Sequence, residues 1–128
     1  MTLADLPLVE ALIRRALDRE EGYDDGALHE FLITFEGSRS DSMGGSAARA
    51  REHFNRAMEI SRGLRASPMV ALAETVAVRS QDRAEFESLL RKALAVDSDA
   101  KPEWRLANLV MQRRARWLLG RADLLFAE

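Results

Sequence analysis

Cysteine is absent from this chain of 128 residues, which removes disulfide cross-links and thiolate chemistry together. Histidine occurs only twice, leaving little for general-base work or metal ligation. No apolar stretch approaches the ~20 residues of a membrane-crossing helix, so no direct span is expected. Neither charge sign is in excess: 19 basic and 21 acidic residues give −2, with no pull toward nucleic acid or an anionic membrane. Aromatic residues make up 6% of the chain, and no alternating strand pattern of any length is present. Met1 to Glu10 carries two acids and no base, which does not read as a secretory leader. The expectation is a cytoplasmic start or a trimmed part of something longer.

What is present is helix former. Hydrophobic residues account for 47% and charged residues for 31%, a globular composition rich in Ala, Leu, Arg and Glu. The length fits one domain over residues 1–128. Apolar periodicity and end signals predict six helical segments. The first spans Leu6 to Arg19, with Asp5 as cap and a stripe of Leu8, Val9, Leu12, Ile13, Ala16 and Leu17. The second spans Asp25 to Phe35, with Ala27, Leu28, Phe31, Leu32 and Phe35 inward and Gly37 as its stop. Gly37 to Ser46 reads as a loop, and Ser46 caps a third helix to Arg62, ended by Gly63. A fourth runs from Ser67–Pro68 to Arg79, and a fifth from Ser80–Asp82 to Val96. Pro102 opens the last segment, either one helix to Phe126 or two broken near Gly120.

A phrase recurs along the chain. Arg15-Ala16-Leu17, Arg56-Ala57-Met58 and Lys92-Ala93-Leu94 each follow an apolar residue three before the alanine: Ile13, Phe54 and Leu90. The alanines lie 41 and 36 residues apart. Tetratricopeptide repeats recur at about 34 and carry small and larger apolar residues in this arrangement on their second helices. Small residues let two helices approach closely, and the larger neighbour fills the remaining gap. With Ala93 as the repeat alanine, Trp104 takes the tryptophan position of the next repeat, and Gly120, Leu124 and Ala127 fall on its second helix. The pattern predicts an all-α, tetratricopeptide-like solenoid of helical hairpins with about six to seven helices. The first helix reads as the second half of a pair, with an apolar face left uncovered.

Three stretches resemble a known family. They are Tyr23-Asp-Asp-Gly-Ala-Leu-His-Glu-Phe-Leu-Ile33, Met43-Gly-Gly-Ser46, and Ala50-Arg-Glu-His-Phe-Asn-Arg-Ala57. Val70-Ala-Leu-Ala-Glu-Thr-Val-Ala-Val78 and the tail from Glu103-Trp-Arg-Leu-Ala-Asn-Leu109 through Arg113 to Leu119 continue the likeness. Together they resemble the T component of tripartite ATP-independent periplasmic (TRAP) transporters, the TatT family, in its C-terminal portion. The resemblance implies a periplasmic lipoprotein of cryptic tetratricopeptide-like motifs that assembles as a homotrimer. It further implies docking on a periplasmic substrate-binding P subunit and help in delivering an apolar or organic-acid ligand. The alternative from the residues alone is a cytoplasmic tetratricopeptide adaptor gripping a peptide, with Arg105 and Asn108 as candidate clamps.

The chain carries no complete catalytic motif. His29-Glu30 lacks the second histidine one turn on that a zinc protease needs, since position 33 is Ile33. His29 and His53 are expected in helix-pair contacts. Met43-Gly44-Gly45-Ser46 has no Lys-Ser/Thr after it and no strand before it, so it reads as a turn with a serine cap. Trp104 and Trp117 are 13 apart, about 140° around a helix, so a continuous helix exposes one of them and a break lets both turn inward. No enzyme, metal or cofactor is expected. The residues expected to shape a groove or a docking edge are Tyr23, His29, Glu30, Phe31, Met43, Gly44, Gly45 and Trp104.

Overall fold

A computed structural model describes residues 5–19, 26–39, 42 and 44–127, the Leu6 side chain apart. Seven α-helices and no strand occur among the described residues: α1 (Leu6–Arg19), α2 (Ala27–Gly37), α3 (Ala47–Ser61), α4 (Ser67–Leu72), α5 (Arg83–Ala95), α6 (Arg105–Gly120) and α7 (Ala122–Leu125). A π-helical turn, Ala73–Ala77, prolongs α4, and a 3₁₀ turn, Pro102–Trp104, opens α6.

Local chemistry sets the ends. Ser46 Oγ accepts from Arg49 N–H at 3.1 Å and starts α3. Asp82 Oδ1 does the same for Glu85 N–H at 3.0 Å and starts α5. Arg62 and Gly63, both left-handed, reverse the chain after α3, and Gly63 N–H bonds Met58 O at 3.1 Å. The helices stack in series: α2 packs most broadly on α3, α4 sits against α2, and α6 packs against both α4 and α5.

Ala57 and Ala93 have no exposure, as the repeated phrase requires. They lie in a core with Ile33, Leu72, Phe86 and Leu90, where removal from water supplies roughly 1.5–3 kcal/mol per large side chain. The third alanine, Ala16, is only half-buried, because α1 has few described neighbours. Leu8 and Leu12 on α1 are 62% and 58% exposed, whereas Val9, Ile13 and Leu17 of the same stripe are partly covered.

Three details depart from the expected pattern, and the course of α6 decides between two readings that the sequence leaves open. Gly37 does not stop α2; it is the last helical residue, and a Cβ there would meet Thr75 Oγ1 at 2.6 Å. Its role is close approach to the π-helical turn, not termination. Phe31, expected inward, is exposed, while His29, Ile33 and Glu36 are buried, because α2 is covered by α3 and α4 rather than along the expected stripe. α6 runs unbroken to Gly120, so Trp104 is buried and Trp117 is 54% exposed. Gly120, Leu124 and Ala127 do not form a buried second-helix face: Gly120 closes α6, α7 is one turn, and Ala122 and Phe126 turn inward instead.

Candidate functional site

The N-terminal half of α2 carries His29 and Glu30 on neighbouring faces. His29 turns toward α3, where its Nδ1 lies 2.8 Å from His53 Nδ1, both rings buried. One nitrogen donates and the other accepts. Burial pushes the His53 pKa down to about 4, with His29, Arg14 and Arg49 adding positive charge nearby.

Glu30 turns the other way. Its Oε2 accepts from Arg65 Nε at 2.6 Å and its Oε1 from Arg65 Nη2 at 3.0 Å and Ser67 Oγ at 2.6 Å. The Arg65 guanidinium lies 5.3 Å from the centre of the Trp104 ring, and Lys101 Nζ lies 3.8 Å from it. Glu30 and Trp104 therefore meet through Arg65, joining α2, the α3–α4 connection and the start of α6. Asn108 completes this end: its Oδ1 accepts from Ala66 N–H at 2.9 Å and its amide donates to Leu64 O at 2.8 Å. Asn108 is thus committed to backbone, and Arg105 is paired with Asp99 at 2.8 Å.

The C-terminal half of α2 holds a second polar cluster. Glu36 has no exposure, and its oxygens accept from Arg14 Nη2 at 2.9 Å and Arg49 Nε at 3.0 Å. Glu36 O also receives Ser46 N–H at 3.0 Å, which draws the Gly44–Gly45–Ser46 segment onto α2. Gly45 is buried there: a Cβ would overlap the Arg39 carbonyl and come within 2.8 Å of Glu36 O. Gly44 is exposed with φ +84°, and Phe31 is exposed while stacked on Phe35 at 5.8 Å. Tyr23 and Met43 lie outside the described residues. The structure thus brings His29, Glu30 and Trp104 to one end of α2 and Gly44 and Gly45 to the other.

None of those six described residues lines the open cleft between α3, α4 and α5, whose volume is about 690 Å³. Phe54, Met58, Met69, Leu72 and Leu89 form its apolar floor. Arg51 and Glu85 close one side through two bonds of 2.7 and 2.8 Å, and Asn55, Ser88 and Lys92 complete the rim. This volume and lining suit a small molecule with an apolar body and one polar end. Sequence reasoning missed it because its three helices meet only in the fold. The available signal was Phe54 and Met58 on the α3 stripe, which remain partly uncovered. Among the described residues, no three His, Cys, Asp or Glu side chains are grouped to hold a metal ion, and no helix is long and apolar enough to cross a membrane.

The described residues form an all-helical protein with polar clusters serving as ties and an apolar cleft. Its residues 1–126 match the TRAP transporter T-component family, and the chain belongs to that family. It is also 28% identical over 107 residues to an uncharacterised protein of Treponema pallidum (strain Nichols), covering 84% of this chain and 33% of that protein. The chain spans about a third of the length of that curated relative.

Proposed function

We propose that this chain is a non-catalytic subunit of a periplasmic TRAP-type transporter, docking on the substrate-binding P subunit and holding a small apolar or organic-acid ligand. The carrying observation is the α3–α4–α5 cleft, whose methionine-rich floor and Lys92 rim offer one apolar and one cationic surface to such a ligand. The hairpins are read as tetratricopeptide-like, and the exposed α1 patch is read as a contact between copies in a homo-oligomer, a trimer as the family resemblance implies. Phe31 and Gly44 are assigned to the docking edge, and Tyr23 and Met43 are assigned with them. His29, Glu30, Gly45 and Trp104 shape that edge from within through the ties described above.

The test is displacement of a fluorescent medium-chain fatty acid from the purified protein. Met58→Trp, which fills the cleft, is expected to reduce binding at least tenfold, and Lys92→Glu to weaken carboxylate ligands over their alcohols. Unchanged binding by both variants would remove the cleft from the proposal. Co-elution with the purified P subunit tests docking separately.

A further inference from the structure

α6 has two apolar faces. Asn108, Gln112, Ala115 and Leu118 face the core, below Trp104 of the preceding turn. Leu106, Val110 and Trp117 lie about 150° around the helix from them, at 75%, 51% and 54% exposure. A helix with only one neighbouring layer needs only one apolar face. The second face therefore calls for a covering element, and no described residue provides one. Its spacing of four and seven residues matches the ridges that helices present to one another. The fold already stacks α2, α4 and α6 in series, so the open side of α6 is where another helix would sit.

The charge on this face selects the occupant. Between Glu103 and Asp123 lie five arginines and no acid. Arg114 is engaged by Glu74 and Arg105 by Asp99, whereas Arg113 and Arg116 are exposed and make no ion pair among the described residues. Arg121 lies 4.8 Å from the centre of the Trp117 ring and adds a third positive edge. We infer that the outer face of α6 is a docking surface for an acidic amphipathic helix of a partner protein, with Trp117 as the central anchor and Arg113 and Arg116 pairing its carboxylates.

Two other occupants fit less well. The other exposed apolar patch of this chain, on α1, carries Arg15 and Arg19 beside Asp18, with Arg14 held by Glu10 and Glu36, so a second copy would offer no net acid to the arginines of α6. A lipid surface would bury Arg113, which sits inside the strip between Val110 and Trp117 rather than at its flank. The surface does not involve the α3–α4–α5 cleft and stands whether or not that cleft binds a ligand.

The experiment uses the whole chain and an 18-residue synthetic helix of Leu, Ala and Glu, beside a twin with Lys for Glu. Binding is read by calorimetry and by acrylamide quenching of the exposed indole. The acidic peptide is expected to bind saturably, at least tenfold tighter than its twin, and to shield Trp117. Arg113→Glu with Arg116→Glu is expected to lose that tenfold preference, and Trp117→Ala to lose binding, with melting temperatures unchanged. Equal binding of the two peptides would overturn the inference. So would shielding of Trp117 by phosphatidylglycerol vesicles but not by peptide, or a protein dimer in sedimentation that Leu106→Glu dissolves.

Discussion

Arg65 grips the carboxylate of Glu30 with two nitrogens, at 2.6 and 3.0 Å, across 35 residues of chain. Both side chains are largely shielded from water, so the pair lies well toward the buried regime, where removing one partner strands the other. Arg65→Ala is expected to cost about 2–4 kcal/mol, read as a lower denaturation midpoint. Arg65→Lys should recover less than half of that loss, since an ammonium cannot reproduce the two-armed geometry. Equal stability of all three proteins would mean the tie is dispensable.

Two glycines should respond in opposite directions. Gly45→Ala places a methyl against the Arg39 and Glu36 carbonyls and should lower the melting temperature markedly. Gly120 has nothing within 4 Å of an added Cβ and ends α6. Gly120→Ala should therefore leave stability unchanged or raise it by up to about 1 kcal/mol. Thermal melts of the two variants side by side provide the check.

Stability should fall on mild acidification. In the unfolded chain a histidine takes up its proton near pH 6.5, but folded His53 waits until about 4. Between those values the unfolded state binds more protons. Stability that is full above pH 6.5 is therefore lost as the pH falls toward 4, by at most about 3 kcal/mol. The groups facing the pair are His29 on α2, Arg49 on α3, and Arg14 on α1, with Glu36 held between the two arginines. Denaturant titrations at pH 7.5 and 4.5 should show the loss, and His53→Gln should flatten it. A slope unaltered by that substitution would assign the effect elsewhere.

The α1 stripe should drive self-association. Leu8 and Leu12 present adjoining apolar surface that no described residue covers. Sedimentation of the wild-type protein should show concentration-dependent mass, and Leu8→Lys with Leu12→Lys should return it to monomer without lowering the melting temperature. A wild-type monomer at high concentration would remove the role of α1 as a contact.

The legible parts of this fold are those set by neighbours in sequence. α1 begins and ends where its stripe and flanking residues place it, and Ser46 caps as its position suggests. Ala57 and Ala93 were readable because a repeated small residue marks close helix contact. The illegible parts depend on distant partners. Glu36 is polar, yet it is fully buried because Arg14 and Arg49 arrive from 22 residues before and 13 after. Glu30 looked like an isolated candidate until Arg65 and Ser67 folded onto it. The expected site was drawn from polar, glycine, aromatic and methionine residues in and just before α2, the loop after it and the start of α6, while the cleft is built from Phe54, Met58, Met69 and Leu72, which periodicity assigns to plain core. Trp117 could be seen as one of two choices, and only the unbroken course of α6 decided between them.

The wide turn at Ala73–Ala77, closed by Val78 N–H on Ala73 O, holds one more residue than an ordinary helical turn would. Deleting Thr75 would let the segment close into an ordinary helical turn, with the residues after it nearly in phase and the close fit of Thr75 against Gly37 lost. Arg79, which donates to Gly37 O at 3.0 Å, ties the end of α2 to the same segment. The extra residue thus serves local contact with α2, so this segment should tolerate the loss of one residue better than a regular helix would.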